Sequence, residues 1–136
     1  MRTEEEQMLF RKQVLHNFEN RCAITGTHFR EDTVDAAHIR FYRNGGSMSV
    51  VNGIPLLSKL HTLHDEFLLS IHPEYQTIHF AIDGMKYEGQ RIREHNFYLD
   101  KGSLIWHWKE FISVRAELSL LNKRSDIIEQ CMLEVV

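Results

Sequence analysis

Near the N-terminus apolar residues recur every four positions, at Phe10, Val14 and Phe18, behind Thr3 and the acidic run Glu4, Glu5 and Glu6. A hydroxyl ahead of carboxylates caps a helix and suits the positive end of its dipole. The pattern predicts a helix over about residues 4–19, with one stripe on the core and Asn20 ending it. Arg21 to Gly26 (RCAITG) reads as a short strand closing on a turn at Gly26, with His28 at the surface. Val34 to Ile39 alternates well enough for a strand, and the polar, glycine-bearing Arg43 to Ser49 (RNGGSMS) reads as a loop. Val50 and Val51 then read as a second short strand and Asn52-Gly53 as a turn. Ser58 is placed to cap a helix with Leu60, Leu63 and Phe67 on one face, and His61 and Asp65 one turn apart on another.

Beyond this the period changes. Ser70 to His72 and Thr77 to Ile82 are β-prone around a turn at Pro73 to Gln76, which predicts a hairpin with His72 and His79 on its surface. Asp83-Gly84 turns the chain again, and Met85 to Ile92 (MKYEGQRI) reads as extended. Ser103 to Asn122 reads as a long amphipathic helix with Leu104, Trp108, Phe111, Arg115, Leu118 and Leu121 along one stripe. Trp106, Trp108 and Phe111 read as core rather than as a platform for stacking bases. A last helix is expected over Asp126 to Leu133, and the ending Glu-Val-Val suits a piece of a larger protein or an end packed on a partner. The mixture predicts an α+β fold in one domain, 1–136.

Composition narrows the class. With 43% hydrophobic and 26% charged residues, the chain is too apolar for disorder. It has no apolar run near the ~20 residues of a membrane span and no basic signal-peptide start, so a cytoplasmic protein is expected. Cys22 and Cys131 form no CxxC pair, which excludes a four-cysteine zinc knuckle and argues against a disulfide framework. A net charge of −3 argues against a basic nucleic-acid coat protein but not against an enzyme that meets phosphates in one cleft.

Charge is unevenly spread. From Ala36 to His64 there is no Asp or Glu, yet the stretch holds Arg40, Arg43, Lys59 and three of the nine histidines, His38, His61 and His64. A polyanion plus a metal would suit such a place. Phosphodiester hydrolysis needs a base for water, positive charge on the phosphate and leaving oxygen, and firm positioning. An imidazole suits the first task and a divalent ion the second. His38 closes a strand without a neighbouring carboxylate, His61 and Asp65 can reach one ion, and Asn52 can hydrogen-bond across the intervening loop.

These residues resemble the HNH, or ββα-metal, nucleases, in the branch of bacterial restriction endonucleases. The chain carries CAITG at Cys22–Gly26, AAHI at Ala36–Ile39, NGIPL at Asn52–Leu56 and HTLHD at His61–Asp65, with Asn52 14 residues after His38 and His61 9 after Asn52. Each motif is weak alone; the ordered set at this spacing is specific. FRKQVLHNFENRC before it and WHWKEF after it also look like that branch, so the resemblance covers most of the chain. It implies a small ββα-metal core over about 20–72, an N-terminal helix, an added β-hairpin and C-terminal helices over 100–135.

The resemblance also implies roles. His38 would be the general base for in-line attack of water, Asn52 would brace the loop, and His61 would ligate one divalent ion, leaving 5′-phosphate and 3′-hydroxyl ends. Mg²⁺ is expected, with Mn²⁺, Ni²⁺ or Zn²⁺ as alternatives. The chain departs from the family where many members place Asp or His just before the base: here it is Ala37. Asp65 is the first candidate to compensate as a metal ligand and Asp35 the second, with His64 near the site or at the surface. Arg40, Arg43 and Lys59 would touch DNA phosphates. Double-stranded DNA is the expected partner, in restriction or defence, with a homodimer or a fusion to a specificity module as further expectations.

Two rivals stand beside this reading. A nucleic-acid-binding module could keep the fold and lose the metal through Ala37. An HD-type phosphohydrolase would use His64-Asp65 with His38 and Asp100 as outer ligands, and it would be wholly helical.

Overall fold

A computed structural model describes the backbone of residues 2–135 and the side chains of residues 2–123. The first helix, α1, spans Glu4–Asn17; the Thr3 hydroxyl accepts the Glu6 amide at 3.1 Å, and Glu4, Glu5 and Glu6 fill the first turn. Its buried stripe, Phe10, Val14 and Leu15, lies over a two-stranded antiparallel sheet of β1 (Val34–His38) and β2 (Gly53–Leu57). The register sets Ala37 opposite Ile54 and His38 opposite Gly53. Helix α2 (Ser58–Asp65) leaves β2 directly, completing a ββα unit.

A second sheet follows, the hairpin β3 (Leu69–Ile71) and β4 (Ile78–Phe80), and a single long helix, α3 (Lys101–Val135), packs on β3. Asp100 starts α3 by accepting the Ser103 amide at 2.9 Å and the Ser103 hydroxyl at 2.7 Å. Val34, Ala37, Ile54 and Leu56 from the first sheet and Ile39 just past β1 join Leu69, Ile71, Ile78 and Phe80 from the hairpin in one core, closed by Leu104 of α3. The α+β expectation and its ββα core are therefore present, and the strands exclude the helical HD fold. Among the described residues no helix is long and apolar enough to cross a membrane.

Several local expectations need correction. RCAITG is not a strand: Cys22 is buried at the base of a tight reversal, where its amide donates to Thr27 O at 2.9 Å and the Gly26 amide donates back to Cys22 O at 3.0 Å. Only an isolated bridge, Arg21 to His28, is left of it. Val50 to Asn52 form a 3-10 turn because Ser49 Oγ accepts the Val51 amide, and the strand begins later, at Gly53. Ser58 is the first helical residue, and its hydroxyl donates to Asp35 rather than capping α2. Phe67 lies past the end of α2 at φ 59°, off the helical stripe. Met85 to Ile92 is mostly turns, with one bridge from Arg91 to Thr77.

The two C-terminal helices are one, because neither glycine nor proline occurs after Gly102 to interrupt α3. Leu104 and Phe111 are buried as expected, but Leu121 is 57% exposed, so the apolar stripe runs past the body it packs against. The side chains of the expected last helix, Asp126 to Leu133, and of Cys131 lie outside the described residues.

Gly53 is not a turn residue either. Its φ of −132° is ordinary extended backbone, and its requirement is steric. A Cβ there would sit 2.2 Å from Val14 Cγ2 and 2.9 Å from Phe10 Cζ, so α1 rests directly on the backbone of β2. Replacing Gly53 by Ala is expected to destabilise the fold by about 1–3 kcal/mol, the usual range for overpacking. Chemical denaturation reads this directly, as a lower midpoint at unchanged slope.

Candidate active site

His38 ends β1, where the strand delivers it beside α1. Its ring stacks on Phe10, with centroids 4.1 Å apart and planes 13° from parallel. Nε2 lies 3.2 Å from Met48 Sδ. A thioether only accepts, so the hydrogen of the neutral ring sits on Nε2 and the free lone pair on Nδ1. Half-burial, the nearby Arg2 guanidinium and His61 push the His38 pKa down to about 4, so at pH 7 the ring is neutral and able to take a proton.

Asn52, fully buried, spans the loop between the strands. Its Oδ1 accepts the Arg40 amide at 2.9 Å, while Nδ2 donates to Arg40 O at 3.0 Å and Ser47 O at 2.8 Å. Both ends of the glycine loop are thus tied to one side chain, and the Asn52 carbonyl accepts the Ile39 amide, next in sequence to His38.

His61, on α2, is held between two carboxylates. Nδ1 lies 3.0 Å from Asp35 Oδ2, and Nε2 lies 3.3 Å from Asp65 Oδ2. Asp35 is itself fixed by the Ser58 hydroxyl at 3.1 Å. Burial raises the Asp65 pKa, opposed by His61 and then Arg43. His38, His61 and Asp65 line one pocket of about 330 Å³ together with Arg2, Phe41, Tyr42 and Arg43.

Of the basic residues singled out in the sequence, Arg43 lines this pocket. Arg40 instead donates from Nε to Asn44 O at 2.8 Å, and Lys59 is exposed on α2; neither lines it. His64 is not at the surface. It is buried with its ring stacked on His107 of α3 at 3.7 Å, and His107 bridges Ser70 Oγ (2.7 Å) and His64 O (2.8 Å). Arg2, Phe10, Tyr42 and Met48 went unnoticed as site residues. Their sequence neighbourhoods read as a helix start, a core stripe and a flexible loop, and no spacing rule ties them to His38.

No curated protein matches this chain. Residues 22–72 match the family model of the HNH endonucleases, which bears out the resemblance carried by the motifs. Among solved structures, the fold is similar to that of a chain described as a modification-dependent TagI restriction endonuclease. The TM-score is 0.63 and the identity 21%, over 75% of this chain and 37% of that one. At that identity the likeness is one of fold, and this chain spans little more than a third of that protein's length. The family match thus speaks for an HNH segment at residues 22–72, and the structural neighbour for the fold alone.

HNH endonucleases generally use a divalent metal ion. Among the described residues no group of three or more His, Cys, Asp or Glu is placed to hold one. His61 Nε2 and Asp65 Oδ2, 3.3 Å apart, are at the separation two ligands of one ion adopt when each bond is about 2.0–2.2 Å. Mg²⁺ commonly takes few protein donors and completes its shell with water and substrate phosphate, so this pair fits such an ion and not a closed structural site.

The depressed histidines set an acid limit on the fold. Unfolded, His38 and His107 would take a proton near pH 6.5; folded, burial holds each near 4, and buried His64 is shifted the same way. The unfolded chain binds more protons between those values, so stability should fall as pH drops from about 6.5 towards 4 and stay level above that window. Denaturation midpoints across pH 4 to 8 and NMR titration of the imidazoles check both the window and its direction.

Proposed function

We propose that this chain is a metal-dependent DNA endonuclease of HNH type that hydrolyses phosphodiester bonds in double-stranded DNA, in restriction or defence against foreign DNA. The observation that carries this reading is the convergence of His38, His61 and Asp65 on one pocket flanked by Arg2 and Arg43. The HNH match over residues 22–72 and the restriction-endonuclease fold likeness support it.

In this reading His38 is the general base. Its Nδ1 lone pair takes the proton of a water whose oxygen attacks phosphorus in line with the departing 3′ oxygen. The Phe10 stack holds the imidazole plane, and Asn52 keeps the loop that carries Met48 against Nε2. His61 Nε2 and Asp65 would hold one divalent ion, Mg²⁺ by its fit to few donors, with Mn²⁺, Ni²⁺ or Zn²⁺ as alternatives. When bound, that ion supplies positive charge to the phosphate and the leaving oxygen.

Asp35 takes a different part from the ligand first expected of it. It sits on Nδ1, across the ring from Asp65, and so keeps the hydrogen on that nitrogen and the lone pair of Nε2 turned towards Asp65. Arg43 meets the phosphate in the pocket, and Arg40 and Lys59 meet the backbone on either side. The setting is the cytoplasm. A specificity module elsewhere in a longer protein, or a second copy of the chain, accompanies the domain; that this chain spans 37% of its structural neighbour supports the former.

Plasmid cleavage tests the whole. Replacing His38 by Ala should slow it by about 10²–10⁴-fold, the usual cost of a lost general base, with the fold intact. Chelator should stop the wild type, and Mg²⁺ or Mn²⁺ should restore it. Cleavage that survives chelation, or an unchanged rate without His38, rejects the assignment; DNA binding with no cutting under any metal marks the silent module instead. For Asp35→Asn, calorimetric titration should show metal affinity lowered by about 10–100-fold, as for other lost partners of a ligating histidine.

A further inference from the structure

The family match begins at residue 22, but the pocket also draws on the chain far ahead of it. Arg2 precedes Thr3, the cap of α1, so the start of that helix fixes where its backbone lies. Its guanidinium stands 4.9 Å from the centroid of the Tyr42 ring, on the 3-10 turn that follows β1. This is cation–π range, and it leaves the edge donors of the guanidinium free for an acceptor. Arg2 is partly buried, and among the described residues no carboxylate comes within 4.0 Å of it, although Glu4, Glu5 and Glu6 follow closely in sequence. Arg43 is exposed, likewise without a carboxylate within 4.0 Å among the described residues, and its guanidinium rests on the Phe41 ring at 5.1 Å.

Two guanidiniums therefore enter one pocket, each seated on an aromatic ring and neither neutralised. Arg2 acts on the base, since its charge is the second cause of the lowered His38 pKa; Arg43 acts on Asp65, the metal-side carboxylate. A partly buried guanidinium with no paired carboxylate costs free energy unless an anion arrives, and a phosphate offers the acceptor geometry that a guanidinium matches. We propose that Arg2 binds a non-bridging oxygen of the scissile phosphate, with Tyr42 as its seat, so that the site is completed by a residue outside the HNH segment.

This rests on the nuclease reading above, and the test separates the two. The 136-residue chain without an added N-terminal tag is titrated with a fluorescent DNA duplex in EDTA across a salt series, then assayed for single-turnover cleavage in Mg²⁺. Arg2→Gln keeps the size and removes the charge. It should reduce the slope of log affinity against log salt by about 1 and lower the cleavage rate constant at saturation by roughly 10- to 100-fold, the worth of one charge-assisted hydrogen bond. Arg2→Lys should retain the slope and recover only part of the rate, because an ammonium lacks the planar fork. Tyr42→Phe should behave as wild type and Tyr42→Ala should move towards Arg2→Gln.

An unchanged salt slope in Arg2→Gln with an unchanged cleavage rate overturns the proposal, as does equal loss in Arg2→Gln and Arg2→Lys, which would mark a packing role. If the wild type binds DNA but never cuts it, the nuclease reading fails while the slope still decides the phosphate contact. If it neither binds nor cuts, both fall.

Discussion

The structure depends on one close approach, that of helix α1 to the backbone of strand β2 at Gly53. With no Cβ in the way, Phe10 and Val14 descend onto the strand, and Phe10 becomes the surface on which His38 lies flat. The register makes this a single device, because Gly53 is the partner of His38 across the sheet. The residue that admits the helix and the residue the helix orients are neighbours. An imidazole on a surface strand would otherwise sample several rotamers; here the stack on Phe10 and the contact of Nε2 with Met48 restrain it.

Around this contact, polar side chains buried inside the domain take the place of longer secondary structure. Asn52 ties the glycine loop at three points, and Asn17 exchanges two hydrogen bonds with the backbone of Phe97, fastening the segment before α3 to the end of α1. His107 joins α3 to the hairpin through Ser70 and to the end of α2 through His64 O. Sheets of two strands give little cooperative pairing of their own. These satisfied polar links, each costly to leave half-made, hold the pieces in register. His64 Nδ1 is the exception, buried without a partner against the stacked His107 ring. Burial keeps both rings neutral, which is what allows them to stack.

The electrostatics follow from how the ends of the acid-free stretch return to one another. Asp35 and Asp65 are the acids that bound it in sequence, and the ββα turn brings both to the same imidazole, His61. Negative charge is thereby gathered on the His61 side of the pocket, while Arg2 and the neutral His38 occupy the other. A phosphodiester placed between them would meet cationic charge from Arg2 and Arg43 and an uncharged base, the division of labour that hydrolysis by water requires.

The chain by itself determined α1, α2, the β1 strand and the hairpin, because apolar period and the Thr3 cap act over a few residues and do not need the rest of the fold. It also singled out His38, His61 and Asp65, which the structure brings to one pocket, and Asn52, which ties the loop between them. What it could not settle were contacts between distant segments. Gly53 looked like a turn because steric room for Phe10 and Val14 exists only once α1 has docked. Strand alternation places Asp35 on a face but does not say which nitrogen of His61 it meets. Arg2 looked like part of a solvated helix start, and Arg40 and Lys59 like equals of Arg43. Only the tertiary structure, by folding the first residues of the chain over the loop after β1, decided which cations share a pocket with His38.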